Sequence, residues 1–273
     1  MEGFLSISGP SKKVKHSTEL STAQPEENQG EEEEFDPEAI EEMKRELRLA
    51  RIIGARHQAK MEKSFQEDRI NQMYIDDVRV RSVDLDRLRG EEWLNDVIID
   101  AYACILKSEA PQIAIISSYF VKNKVDSAEL NSTYFSKNVN ELQDYRLIGV
   151  PVNTGNLHWT LLVIDIQKKN LIYFDTLTHS TTDRGQTIVA EIKRFLSNNY
   201  PEEFVDEEWT SIYPSTHALQ QDSVNCGVFI CHFLKLLTTA VETDEEVQMS
   251  LFSQAPDSRG FREEIRTRIC SHF

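Results

Sequence analysis

The chain has 273 residues, 40% of them hydrophobic, and a formal net charge of −16, which allows one sizeable core plus an appendage. That charge excludes nucleic acid or an anionic membrane as the main partner and suits a partner with a basic surface. There is no run of about 18 apolar residues, no basic-then-apolar start in "MEGFLSISGPSKKVKH" and no C-x-x-C pair among four scattered cysteines. The expectation is an intracellular monomer with reduced thiols and no membrane span, metal or cofactor.

Residues 1–36 carry Ser, Pro, Gln, Gly and the acidic run Glu31–Glu34, with only Phe4 and Phe35 as aromatics. Such a segment cannot bury enough surface to offset its ordering entropy and is expected to be a disordered acidic tail. "SKKVKH" at 11–16 reads equally as a weak nuclear import signal or as solvated chain, so nucleus and cytoplasm both stay open. Residues 37–73 form a charged helical segment by composition, opened by Pro37 at a first helical position. Its seam of Ile40, Met43, Leu47 and Ala50 fails at Gly54 and His57, which argues for a short linker or docking helix over a long coiled coil.

A compact domain is expected over 74–273. "VRVRSVDLDRL" alternates like a strand. "EEWLNDVIIDAYACILKSEA" puts Leu94, Val97, Ile98, Ala101 and Ile105 on one helical face, ahead of Pro111. "YRLIGVPV", "HWTLLVIDI" and "NLIYFDT" read as strands of a buried sheet. Residues 186–200, 228–241 and the closing "GFREEIRTRICSHF" read as helices. Strands flanked by helical blocks without regular βαβ alternation indicate an α+β fold.

Cys226, in "QQDSVNCGVF", stands between loop-forming polar residues and an apolar helix, so its thiol meets a helix N-terminus that favours an anion. Cys231, five residues on, lies about 140° around that helix, so one thiol can face a cleft while the other packs inside. Taken alone, Cys226 is more often a small buried hydrophobe; a nucleophile needs a base and an orienter. His158 heads one strand and Asp175 ends the next, and a hairpin through "QKKN" brings them together. Singly, each reads as an ordinary strand-end residue. Asp165, seven residues along the strand from His158, is too far to hold it, and histidines 16, 57, 179, 217, 232 and 272 lack so well placed a carboxylate. Gln220 and Gln221 offer a side-chain amide for an oxyanion, and adjacent extended residues point to opposite sides, so only one of them can be aimed into the cleft.

These residues carry a resemblance. From about Val78 to the end, the chain resembles the sentrin/SUMO-specific proteases, the Ulp-type cysteine proteases, through "WLND" at 93–96, "HW" at 158–159, "YFDTL" at 173–177, "QQDSVNCGVFIC" and the "FREEIRTRI" helix. The resemblance implies a papain-like fold of the Ulp type, a central mixed sheet flanked by helices. It implies His158 as base, Asp175 as orienter, Cys226 as nucleophile and Gln220 rather than Gln221 as oxyanion donor. Trp93 and Trp159 would roof a tunnel for a Gly-Gly tail, and Asp96 would pair with a basic residue of a ubiquitin-like modifier. The implied activity is release of such a modifier, SUMO first and ubiquitin or another second, from lysine conjugates, and maturation of its precursor. Surface loops such as 122–144 would discriminate among modifiers. The family usually has Asp before the nucleophile where this chain has Asn225, and residues 1–73 match nothing in it. Two other functions compete: an acetyltransferase of the related bacterial effector type, disfavoured by the tryptophans, and an inactive modifier-binding module, disfavoured by the intact His158, Asp175, Gln220 and Cys226.

Overall fold

The computed structural model describes residues 73–124, 127–243 and 248–273, and eight helical, exposed positions between Glu41 and Arg56. The expected acidic tail, residues 1–36, and most of the segment 37–73 lie outside the described residues, as do positions 125 and 126 of the 122–144 loop region. The chain divides into two units, Met1–Ala59 and Lys60–Phe273; among the described residues every strand belongs to the second.

The described part of that unit opens with a hairpin of β1 (Met73–Ile75) and β2 (Val78–Val80), turned by Asp76 at φ 52. The strand expected through "VRVRSVDLDRL" stops there, because α1 (Ser82–Asp86) begins two residues later. Its cause is local: the buried Asp84 carboxylate turns back to accept from the Arg81 N–H at 3.0 Å and from the Arg81 guanidinium. A capping bond of this kind outcompetes a two-residue alternation. Helix α2 (Asp96–Glu109) follows, capped by Asn95, whose side chain accepts from the Ile98 N–H at 3.2 Å. Leu94 therefore packs in the core from the segment before the helix.

The central sheet has the order β3-β6-β7-β8-β9, from β3 (Ile113–Ile115), β6 (Leu147–Thr154), β7 (His158–Asp165), β8 (Asn170–Phe174) and β9 (Thr210–Ile212). Its outer pairs are parallel and its inner three strands antiparallel, so the sheet is mixed. A separate hairpin of β4 (Val121–Lys124) and β5 (Ser127–Leu130) leads into α3 (Ser132–Ser136). On one sheet face, Leu161, Val163, Ile172 and Phe174 join the core built by α2, α5 (Cys226–Glu242) and α6 (Ser258–Cys270). On the other, Leu162, Ile164, Leu171 and Tyr173 pack with α4 (Asp183–Asn199) and Phe120 and Phe135. Burial on both faces explains why "LLVI" at 161–164 is continuously apolar. Helix α4 starts three residues before the expected 186 because the Thr182 hydroxyl accepts from the Gly185 N–H at 3.0 Å and so caps it.

Two glycines fix how the site is approached. Gly155, at φ +65, with Asn156 at φ 58, turns β6 into β7 just before His158. Gly227, the second residue of α5, lets the helix settle on its neighbours: a Cβ there would lie 3.0 Å from Leu94 Cβ and 3.3 Å from Trp159 Cδ1.

Candidate active site

Three elements deliver three side chains to one point. His158 is the first residue of β7, Asp175 the first beyond β8, and Cys226 the first of α5. The β7–β8 hairpin pairs Leu161 with Phe174, which brings the two strand ends together, and His158 Nε2 lies 2.8 Å from Asp175 Oδ1. The same carboxylate oxygen accepts the Leu177 N–H at 3.0 Å, so Asp175 is fixed by its own turn. The ring's second nitrogen is left for Cys226, which lines the same cleft and whose interaction with the ring helps to raise it.

Burial alone would push the His158 ring down; the hydrogen bonds and charges of Asp175 and Cys226 outweigh it and raise the ring to about 9. For Asp175, burial raises the carboxyl, but the bonds from His158 and the Leu177 N–H hold it below the ordinary range. Both directions favour an imidazolium beside a carboxylate, the state that supports a thiolate nucleophile.

Above the thiol, a cleft of about 450 Å³ is lined by Trp93, Asp96, Tyr119, His158, Trp159 and Cys226. Each residue of "WLND" has a separate task. The half-exposed Trp93 indole donates to the Ser223 carbonyl at 2.9 Å. The Leu94 carbonyl accepts from the buried Trp159 indole at 2.8 Å, Asn95 caps α2, and Asp96 takes the Tyr119 hydroxyl. Tyr119 was not legible in the sequence, since nothing in "SSYF" marks its side chain as reaching Asp96. Leu157, exposed at the hairpin tip, lines the same cleft.

The two glutamines differ sharply. Gln220 is buried, its Oε1 accepts the Thr176 hydroxyl at 2.7 Å and its Nε2 donates to the Asp222 carbonyl at 2.7 Å. Those partners fix which end of the amide is the donor and leave the second Nε2 hydrogen uncommitted. Gln221 is exposed and reaches only the Leu219 carbonyl, at 3.4 Å. Asp165 accepts from the Lys168 N–H at its own turn, away from His158.

Asn225 sits in a network that the sequence reading missed. Its Oδ1 accepts from the buried Arg262 guanidinium at 2.8 and 3.1 Å, and its Nδ2 donates to Asp222 Oδ2 at 2.8 Å. Arg262 also donates to the Arg87 carbonyl at 2.9 Å, and Arg87 reaches the Trp93 carbonyl at 3.2 Å. Trp93 and the turn before Cys226 are thus tied through two guanidiniums in series, those of Arg262 and Arg87. Cys231 is wholly buried and burial pushes its thiol up.

Comparison with known proteins adds independent findings. The profile of the Ulp1 protease family, C-terminal catalytic domain, matches residues 92–271. Human sentrin-specific protease 2 is 27% identical over 187 residues, which is 64% of this chain and 31% of that protein. Ubiquitin-like-specific protease 1 of Saccharomyces cerevisiae is 21% identical over 160 residues, 58% of this chain and 25% of that protein. The chain thus spans about a quarter to a third of these curated relatives. Among solved structures, the C-terminal Ulp1 protease domain in complex with Smt3, the yeast ortholog of SUMO, superposes with a TM-score of 0.55 at 18% identity, covering 72% of this chain and 86% of that one. That likeness extends to the fold.

Proposed function

The chain belongs to the Ulp1 protease family of cysteine peptidases, and from that premise we propose that it cleaves after the C-terminal Gly-Gly of a ubiquitin-like modifier, with SUMO the first candidate. The observation that carries this reading is the contiguity of His158, Asp175 and Cys226 beneath two tryptophans. A cleft walled by Trp93 and Trp159 suits a tail without side chains. The acidic chain suits a modifier with a basic docking surface. Asp96, already holding Tyr119, would present a carboxylate to it.

The steps follow from the atoms in place. The Cys226 sulfur, as thiolate, attacks the carbonyl carbon of the terminal glycine. The oxyanion that forms takes the Cys226 backbone N–H and the free Nε2 hydrogen of Gln220. Since Nε2 of His158 is held by Asp175, Nδ1 gives its proton to the departing lysine amine. It then takes one from the water that opens the thioester. An acetyl donor would need no such cleft, and an inactive module would have no use for the aligned dyad.

A panel of modifiers bearing a C-terminal fluorogenic amide tests the reading. SUMO-type substrate should be cleaved best, and Cys226→Ala should abolish turnover while leaving binding of the modifier within a few-fold. Turnover surviving in Cys226→Ala, or cleavage of none of the modifiers by the wild type, would refute it. The tail 1–36, the helical segment 37–73 and an intracellular, nuclear or cytoplasmic location stand as parts of the same proposal. Among the described residues no helix is long and apolar enough to cross a membrane.

A further inference from the structure

Among the described histidines only His217 is buried, at 3% exposure. Its ring stands edge-on to Phe174 and Phe233, with centroids 5.7 and 6.4 Å away. Each ring nitrogen faces a backbone carbonyl: Nδ1 lies 2.9 Å from Pro214 O and Nε2 2.8 Å from Asp175 O. Carbonyl oxygens only accept, and a neutral imidazole carries one N–H. The neutral ring therefore satisfies one carbonyl and sets a lone pair against the other, whereas the cation satisfies both.

The two ends of this bridge matter. One is the main chain of Asp175, whose carboxylate holds His158. The other, Pro214, begins the loop that delivers Gln220, six residues further on and three beyond His217, and Gln220 N–H itself donates to Thr176 O at 2.9 Å. The oxyanion loop is thus stitched to the end of β8 at adjacent residues, 175 and 176.

We propose that His217 is a positioning residue of this site: it ties the Gln220 loop to the main chain of Asp175, and a proton on its ring decides whether the tie holds at one carbonyl or two. This deepens the proposed function and rests on the roles given there to Asp175 and Gln220. The titratable groups facing the ring are Asp175, at the end of β8, and His179, whose ring lies 4.9 Å away and whose Nε2 donates to the His217 carbonyl at 2.7 Å. Helix α5 contributes the Phe233 ring, and the 249–253 turn contributes Phe252 O, which takes the Ala218 N–H. Burial pushes the His217 ring down and the His179 charge adds to it. The two carbonyls and the Asp175 charge oppose them without winning. The double tie therefore completes on the acid side of the ordinary histidine range, and a single tie remains near neutrality.

The test combines nuclear magnetic resonance with kinetics on the full chain. Ring nitrogen shifts of the wild type, followed from pH 7.5 to 5, should show both His217 nitrogens becoming N–H, and the Gln220 amide should titrate in step. In His217→Phe, which keeps the aromatic packing, that amide response should vanish; in His179→Gln it should persist with a higher midpoint. On a fluorogenic SUMO substrate, His217→Phe should lower kcat about tenfold with KM within twofold, and the deficit should widen as pH falls from 7.5 to 5.5. His217→Gln, which retains one donor, should lose less at neutral pH and serves if the Phe variant does not fold. A Gln220 amide that ignores the His217 titration, or a kcat deficit that is flat with pH, overturns the proposal. The shifts are read without turnover, so a chain that cleaves no modifier sinks the proposed function while the tie is still decided by resonance.

Discussion

Replacing Asp175 by Asn isolates what the carboxylate does electrostatically, because an amide of the same shape can still reach His158. The ring stands at about 9 against an ordinary 6.5, a difference worth about 3 kcal/mol in favour of the imidazolium. Burial opposes that rise, so the bonds and charges of Asp175 and Cys226 together supply more than this net amount. With Cys226 retaining its share, loss of the Asp175 charge should bring the ring down by about 2 pH units. The sign follows from the proposed mechanism, in which the imidazolium is the working form, so activity is lost as pH rises through the folded pKa. At pH 8 the wild type keeps about 90% of the ring charged and the variant about 10%, roughly a tenfold loss from this cause alone, and little from it at pH 6. The assay is kcat/KM on a tail-linked fluorogenic modifier between pH 5.5 and 10, where the alkaline limb reports loss of the His158 charge. A parallel stability effect has the same sign. A raised histidine pKa stabilises the fold fully below about 6.5 and loses that contribution as pH rises through about 9, so the variant's deficit in Tm should be larger at pH 6 than at pH 10. An alkaline limb that stays near 9 in Asp175→Asn, with activity lowered uniformly, would show that the aspartate only orients the ring.

Gln220→Ala should lower kcat by about 10² to 10³ with KM little changed, and Gln221→Ala should cost far less, in single-turnover kinetics on the same substrate; a larger defect in Gln221→Ala would reverse the assignment. Gly227→Ala places a methyl 3.0 Å from Leu94 Cβ and 3.3 Å from Trp159 Cδ1, so thermal unfolding should show a loss of about 1–3 kcal/mol, accompanied by a kcat defect from displaced Trp159. An unchanged Tm would mean that the wall gives way without cost.

Most of the site was legible because it hangs on regular elements. A strand pair of fixed length brings His158 to Asp175, and a helix start displays Cys226, so periodicity and turn residues suffice to place them. What was not legible depends on tertiary approach. Tyr119 reaches Asp96 across 23 residues, His217 reaches Asp175 across 42 and Arg262 reaches Asn225 across 37, none with a local pattern to announce it. The short strands β3 and β9 escaped for a similar reason: three residues each, they exist only because longer strands beside them offer free edges. Asn225 shows the limit best. From sequence it is a missing negative charge beside the nucleophile; in the structure the charge has a place of its own, three residues earlier. Burial raises the Asp222 carboxyl, but the Asn225 amide, the N–H groups of Val224 and Asn225 and the Arg262 charge hold it below the ordinary range. Asn225→Asp would put a carboxylate oxygen where the amide now donates, 2.8 Å from Asp222 Oδ2, and the repulsion would offset the stronger bond to Arg262. Asp222→Asn alone would set two amide groups face to face. The exchange of both, Asp222→Asn with Asn225→Asp, restores one donor, one acceptor and a direct ion pair to Arg262. Each single variant should therefore lose Tm and kcat while the double variant recovers both, with a coupling energy of about 1–3 kcal/mol in the double-mutant cycle. Effects that simply add would show that Asp222 and Asn225 act independently and that no relay links Arg262 to the turn before Cys226.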